Sequence, residues 1–216
     1  MVKVLELFSG TGSVGKCCKE LGWEVVSVDL LLPADHQCDI MDFDYKQYDK
    51  DEFDIVWASP PCVNYSRLKD CNLGRMVRGE IYTKEIREKE MKEDDKLVLK
   101  TLEIIEYFNP HFWFIENPTG SRMKDRYFMK DINNYVVDYC MYSKWGYKKS
   151  TRIWTNKKDF KPLICNKKCG NMENNKHIIT CDNGYDKRSN KNFNKGTTKQ
   201  DRYRIPEDLI FSLFLD

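Results

Sequence analysis

Val2-Lys3-Val4-Leu5-Glu6-Leu7-Phe8, running directly into Ser9-Gly10-Thr11-Gly12-Ser13-Val14-Gly15-Lys16, decides the fold of this chain. An apolar-rich run, a glycine loop and a stretch through Leu21 with helical character predict strand, turn and helix. That is the opening unit of a nucleotide-binding α/β sheet. Glu24 to Asp29 reads as the second strand and ends in an acid, 17 residues after Gly12. A carboxylate at that place suits hydrogen bonds from ribose hydroxyls.

The glycine loop admits three readings. Gly10, Gly12 and Gly15 fit the G-x-G-x-x-G of dinucleotide sites. Gly10, Gly15 and Lys16 also fit a phosphate loop, but Cys17 stands where that loop needs a magnesium-binding Ser or Thr. A thiol is a poor magnesium ligand, which weighs against this reading. The third reading is a methyltransferase loop, packed against S-adenosylmethionine with no phosphate to neutralise.

Two further segments choose among them. Asp54-Ile55-Val56-Trp57-Ala58 predicts a short buried strand stopped by Ser59-Pro60-Pro61-Cys62. The two prolines stiffen the backbone that delivers Cys62, at the strand end where α/β proteins bind ligands. Ile104 to Phe108 closes an amphipathic helix, Asn109-Pro110 breaks it, and His111 to Ile115 begins another buried strand. That strand ends in Glu116-Asn117-Pro118, so Glu116 is expected to face the same crevice as Cys62. As a purely structural feature, Cys62 would be a small core residue and Glu116 a cap beside an Asn-Pro turn.

Phe8-Ser9-Gly10-Thr11-Gly12, Asp29, Asp39-Ile40, Pro60-Pro61-Cys62 and Glu116-Asn117-Pro118 occur in the order of the C5-cytosine DNA methyltransferase family, which the chain resembles. The likeness is nearer to short phage and large-virus members. These share the segment here spanning Lys149 to Asn156 and the later Arg202-Tyr203-Arg204-Ile205-Pro206. The resemblance covers residues 2 to about 156 well and 197–216 more loosely. It implies an α/β, Rossmann-like, S-adenosylmethionine-dependent methyltransferase fold with a small basic target-recognition insertion. It also implies residue roles. Cys62 would add to carbon 6 of cytosine, making carbon 5 nucleophilic. Glu116 would bind the N3 and amino edge, and Arg152 the carbonyl at position 2. For the cofactor, Phe8 would lie against adenine, Ser9, Gly10, Thr11 and Gly12 under the methionine portion, and Asp29 with Leu30 at the ribose. Asp39 and Ile40 would receive the adenine edge, and Pro60 would line the same pocket.

The chain departs from the family pattern in three places. Val63 follows the cysteine where Gln is common. Lys148, Ser150 and Arg152 fill a Gln-x-Arg-x-Arg motif, so only its last arginine is kept. The late Gly-Asn-Ser-Val is absent, its place taken by Arg204-Ile205-Pro206 and a helix from Glu207 to Leu215. Duplex DNA with a flipped cytosine is the expected partner. RNA of the transfer type is the alternative substrate, and a catalytically silent nucleic-acid-binding module of the same fold is the alternative class. A nicotinamide dehydrogenase would leave Pro-Pro-Cys and Glu-Asn-Pro without a purpose.

With 216 residues, 41% of them hydrophobic, the chain suffices for one catalytic α/β domain. No apolar run of about 18 residues suggests a membrane span. The first strand begins at the amino terminus, leaving no room for a secretory signal. A monomer is expected, in the cytoplasm or, for a viral member, the host nucleus, with its nine cysteines reduced.

Charge is unevenly spread. Net charge is +2, yet residues 144–204 hold 17 Lys or Arg against five Asp or Glu. Such a stretch reads as a phosphate-contacting face, with Lys149 part of it and with Tyr142, Trp145, Tyr147 and Trp154 available to the core or to bases. The organisation expected is a catalytic domain over 1–156, a recognition segment over 157–198, and a carboxyl-terminal helix over 199–216 that returns to the first domain. The segment lacks an apolar core, and Cys165, Cys169, His177 and Cys181 are candidate zinc ligands that would staple it. The resemblance implies that the segment after the cysteine, which carries Arg67, Arg75 and Arg78, is a loop that closes over a flipped base; Arg75 and Arg78 beside Gly74 and Gly79 suit such a clamp, and purely structural glycine turns suit the same residues equally well. A charged helix is expected from Glu80 to Lys100.

Overall fold

Lys3–Leu7 forms strand β1, buried at every residue but the first. This computed structural model describes residues 1–181 and 196–215, and the backbone of the strand residues 185–186, 191–192 and 195. Helix α1, Ser13–Glu20, follows the glycine loop, and β2, Glu24–Asp29, returns parallel to β1. The short β3 (His36–Gln37) and then β4 (Ile55–Ala58) complete the first half. Met76–Val77 and Glu80–Ile81, β5 and β6, pair as a hairpin before the 25-residue helix α2, Lys84–Phe108.

The second half comprises β7 (Phe112–Pro118), β8 (Asn134–Asp138) and β9 (Ser150–Thr155). The seven-stranded sheet runs β3-β2-β1-β4-β7-β9-β8. β9 is antiparallel to both its neighbours, and the other pairings are parallel. The chain therefore crosses from β7 to the far edge at β8 before β9 fills the gap between them.

Strand alternation divides the core into two layers. Leu5, Leu7, Val56, Ala58, Ile115 and Trp154 face α2 through Met91, Val98, Ile104, Ile105 and Phe108. Val4, Ile55, Trp57, Phe114 and Ile153 face α1 (Val14, Cys17, Cys18) and α4, Glu207–Phe214, after the short α3, Lys199–Tyr203. Ring contacts of Phe214 with Trp23, Trp57 and Phe114 fasten α4 there. Helix α4 ends at Phe214, one residue before the expected Leu215.

Helix α2 starts later than expected and ends at the expected Asn109-Pro110 break. It starts at Lys84, where the Thr83 side chain caps the amide of Ile86, because Glu80 and Ile81 are held in the hairpin. It continues unbroken to Phe108, where Asn109 takes a left-handed φ of 42° and Pro110 follows. Residues 157–160 belong structurally to the core: Lys157 is buried with Nζ on the Leu213 carbonyl, and Phe160 packs beside α4. Among the described residues no helix is long and apolar enough to cross a membrane.

Candidate active site

The glycine loop is held from both sides by carboxylates. Glu6 of β1 lies in the core beneath it and accepts hydrogen bonds from the amides of Val14 (3.2 Å) and Gly15 (2.9 Å), at the start of α1. A Cβ on Gly15 would stand 2.8 Å from Glu6 Oε2, so a side chain there would push the carboxylate off the amides it accepts from. Burial raises the Glu6 carboxyl to about 7, opposed by those two amides. Asp29, at the end of β2, accepts from Gly10 N through Oδ2, and from Leu31 and Leu32 through Oδ1, all at 2.8 Å. Phe8, Gly10 and Gly12 all adopt positive φ, and nothing lies within 4 Å of a Cβ built on Gly12. The loop is thus an open cradle at the carboxyl edge of the sheet, between β1 and β2.

The other expected cofactor residues lie around this edge. Ser9 is buried and bonds Val28 O through its amide; Thr11 Oγ1 and Ser13 Oγ are 3.0 Å apart. Leu30 is exposed, Ile40 is buried in the α2-side core, and Asp39 caps the amide of Met41. Ser13 Oγ also accepts from Ile205 N at 3.2 Å. Arg204-Ile205-Pro206 therefore does return to the glycine loop.

Cys62 and Glu116 come from the ends of β4 and β7, which are hydrogen-bonded neighbours. Asn117, fully buried, donates from Nδ2 to the Pro60 carbonyl at 2.9 Å, tying the Glu-Asn-Pro strand end to the Pro-Pro-Cys turn. Sequence reading treats Asn117 as a turn residue; the structure makes it the link between the two motifs. Burial raises the Cys62 thiol above its usual range, Glu116 raises it further, and Lys149 opposes them. All three groups therefore share one electrostatic environment.

Glu116 Oε1 accepts from Tyr139 Oη at 2.9 Å and lies 3.3 Å from Lys149 Nζ. Lys149 also donates to the Arg202 carbonyl at 3.0 Å. It is nearly buried, so its expected place on the phosphate-contacting surface is corrected: its charge is turned inward onto Glu116. The reason is local, since Lys149 precedes β9 and its amino group spans to the buried carboxylate across the neighbouring strand. The burial of Tyr139 against Glu116 raises its hydroxyl well above the usual range, which keeps it a donor.

Arg152 is not brought to Glu116. Register pairs Glu116 with Ile153 and Asn117 with Arg152, placing the guanidinium on the opposite side of the sheet. There Nη1 donates to Asn134 Oδ1 and Cζ lies 5.9 Å over Trp154, while Nε–H is buried with no partner among the described residues.

The segment after Cys62 is braced against α2. Asp94 accepts from Asn64 N and Nδ2 (3.2 and 2.8 Å), and Asp95 from Tyr65 Oη (2.7 Å). Buried Arg87 donates to Ser66 O and Asp70, and Arg122 meets Asp70 from the far side. Beyond this frame the chain is exposed. Arg67, Arg75 and Arg78 reach solvent beside Leu68, Met76 and Ile81, with Arg78-Gly79 making a positive-φ turn at the hairpin tip.

The aromatic residues among the basic stretch are committed to packing. Tyr142, Tyr147 and Trp154 are buried, and Trp145 lies between Tyr147 and Arg204. Cys165, Cys169 and His177 do gather, but Cys181 is not among them. Cys140, which follows β8, completes the group, with all four ligand atoms within 4.8 Å of one another. Spacing along the sequence favours the nearer Cys181; Cys140 is 25 residues upstream and becomes a neighbour only through the turn after β8.

No family model matches the chain. It is 40% identical over 222 aligned positions, covering 98% of both chains, to a "Probable DNA (cytosine-5)-methyltransferase" of Frog virus 3 (isolate Goorha). Among solved structures it is similar to a putative DNA modification methyltransferase encoded within a prophage (E. coli), with TM-score 0.51, 14% identity, and 77% of this chain and 52% of that one covered. It is also similar to the Entamoeba histolytica methyltransferase EhMeth, with TM-score 0.53, 16% identity, and 76% and 56% covered. The chain spans about half the length of these two structures, and what it shares with them is the fold.

Proposed function

This chain belongs to the DNA (cytosine-5)-methyltransferase family, and on that basis we propose the course of its reaction and the role of each residue. The reaction is methylation of carbon 5 of a cytosine flipped out of duplex DNA, since ring chemistry cannot reach a stacked base. The observation that carries this reading is the convergence of Cys62 and Glu116 from adjacent strands, locked together by the hydrogen bond from Asn117 to Pro60 O.

The cradle fits S-adenosylmethionine. The open backbone at Gly10 and Gly12 would hold the methionine portion, Asp29 the ribose, and Phe8 with Asp39 and Ile40 the adenine. When bound, that cofactor supplies an electrophilic methyl group.

Cys62 loses its proton and its sulfur adds to carbon 6, forming a C–S bond and moving the ring electrons to carbon 5. Glu116 holds the N3 and amino edge of the base. Tyr139 and Lys149, both on Oε1, keep that carboxyl oriented and moderate its charge. Carbon 5 would take the methyl group from the cofactor, whose sulfonium carbon–sulfur bond breaks to leave a neutral thioether; loss of the carbon 5 proton to a base then restores the ring and expels the Cys62 sulfur as thiolate. Arg67, Arg75 and Arg78 on the exposed loop would contact phosphates.

The test is transfer of labelled methyl groups to duplex DNA, single-stranded DNA and transfer RNA in parallel, with wild type and Cys62→Ser. Label recovered as 5-methylcytosine in duplex DNA, and absent with Cys62→Ser, is the expected result. Label in transfer RNA alone would move the substrate to RNA, and turnover by Cys62→Ser would remove the covalent step.

A further inference from the structure

We infer that Cys140, Cys165, Cys169 and His177 form a tetrahedral site for one zinc ion, which fastens the basic segment to the catalytic domain. The spacing of the ligand atoms carries the inference. Cys165 Sγ and Cys169 Sγ are 3.5 Å apart, and His177 Nε2 is 3.7 Å from the first and 3.4 Å from the second. A tetrahedron with Zn–S of about 2.3 Å and Zn–N of about 2.0–2.1 Å has S···S edges of about 3.8 Å and S···N edges of about 3.6 Å. The observed edges match within a few tenths of an ångström. They are far longer than the ~2.05 Å of a disulfide. Three sulfurs and one imidazole, with no carboxylate, form a soft donor set that selects zinc over magnesium or calcium.

The surroundings are built for these four atoms. Lys167, in a left-handed turn, directs its amide at Cys165 Sγ from 3.4 Å. Cys165 N donates to Asp138 Oδ2 at 2.7 Å. Asn171 donates to the carbonyls of Cys140 (2.9 Å) and Ser143 (2.8 Å), fixing the turn that presents Cys140. His177 arrives on a hairpin, β10 (Met172–Glu173) and β11 (Lys176–His177), whose two-residue turn Asn174-Asn175 has positive φ at both positions. That is the turn chemistry a tight hairpin requires. The apolar packing here amounts to the three cysteines with Met141 and Met172, too little to hold the segment without a staple.

The site spans a boundary. Cys140 belongs to the catalytic domain and directly follows Tyr139, whose hydroxyl bonds Glu116. The other three ligands belong to the inserted segment. One ion would thereby fix the segment's position relative to the active-site carboxylate.

The experiment measures metal in the full-length protein, purified without chelator, by mass spectrometry of the elements. About one zinc per chain is expected in wild type and in Cys181→Ser, with most of it lost in Cys140→Ser and Cys169→Ser. The second readout is cobalt(II) added to the zinc-stripped wild-type protein. Visible bands of tetrahedral geometry with thiolate-to-cobalt charge transfer, bleached by zinc, are expected. His177→Cys should keep the metal and shift those bands, a result independent of whether the serine variants fold. Absence of both zinc and the tetrahedral cobalt spectrum from folded wild type would overturn the site. So would loss of zinc in Cys181→Ser with retention in Cys140→Ser.

Discussion

Lys149 and Glu116 form a nearly buried ion pair, Nζ to Oε1 3.3 Å, with the two side chains 12% and 8% exposed. The pair sits within the electrostatic reach of Cys62, so one contact links the carboxylate proposed to bind the base to the proposed nucleophile. Removing one partner of such a pair strands a charge in a low dielectric, at a cost of about 3–5 kcal/mol. Lys149→Met should therefore lower both stability and methyl transfer, while Lys149→Arg keeps more of each. Glu116→Gln should reduce kcat by about 10²–10⁴-fold, the usual worth of a positioned acid–base group. Denaturant unfolding beside labelled methyl transfer checks both, and an unaltered kcat in Glu116→Gln would remove that residue from the chemistry.

The same triangle sets a pH dependence. Burial and Glu116 raise the Cys62 thiol, so at neutral pH it is mainly protonated and its alkylation rate should climb with pH past the ordinary cysteine range. Glu116→Gln removes a negative neighbour and should shift the profile to lower pH. Lys149→Met removes a positive one and should shift it to higher pH. Iodoacetamide labelling of Cys62 across pH reads the order of the three proteins; shifts of the opposite sign would mean the groups do not face one another in solution.

Asn117 carries the link between motifs. Asn117→Ala leaves the Pro60 carbonyl without its partner, and stranding a buried polar group costs about 1–3 kcal/mol. Methyl transfer should fall with little change in S-adenosylmethionine affinity, because the glycine loop is held separately by Glu6 and Asp29. Calorimetric titration of the cofactor distinguishes this from general loss of the fold.

Glu6 makes the glycine loop sensitive to pH. Its folded carboxyl is raised to about 7 from 4.5, so the native state binds the proton more tightly than the unfolded chain. Stability contributed by the protonated form is present below about pH 4.5 and is lost as pH rises through 7. Glu6→Gln lacks this loss. Its melting temperature relative to wild type should rise between pH 5 and 8; a constant difference would show that Glu6 does not titrate in that window.

Arg75 and Arg78 stand on the exposed loop with no counter-charge from the frame that holds Asn64 and Tyr65. If they grip phosphate, the double alanine variant should weaken duplex binding about equally for all sequences. Its salt slope should also drop by about 1 for each arginine–phosphate pairing removed. An unchanged slope would return these arginines to plain surface.

Features that rest on neighbours along the chain were legible in the sequence alone. Glycines, which take positive φ at little cost, marked the cradle, Pro-Pro stiffened the approach to Cys62, and apolar runs marked β1, β4 and β7. Motif order then placed Cys62, Glu116 and Asp29 at the carboxyl ends of strands, because parallel strands must all point the same way. Which side chains meet was left to the tertiary fold. The register of β9 on β7 turned Arg152 away from Glu116 and left that carboxylate to Lys149, since strand faces alternate and a one-residue offset exchanges them. The crossover to β8 brought Cys140, and not Cys181, to Cys165, Cys169 and His177. Such pairings depend on how distant strands align and how loops close on them. Spacing along the chain does not encode that, whereas backbone conformation and periodicity are written locally.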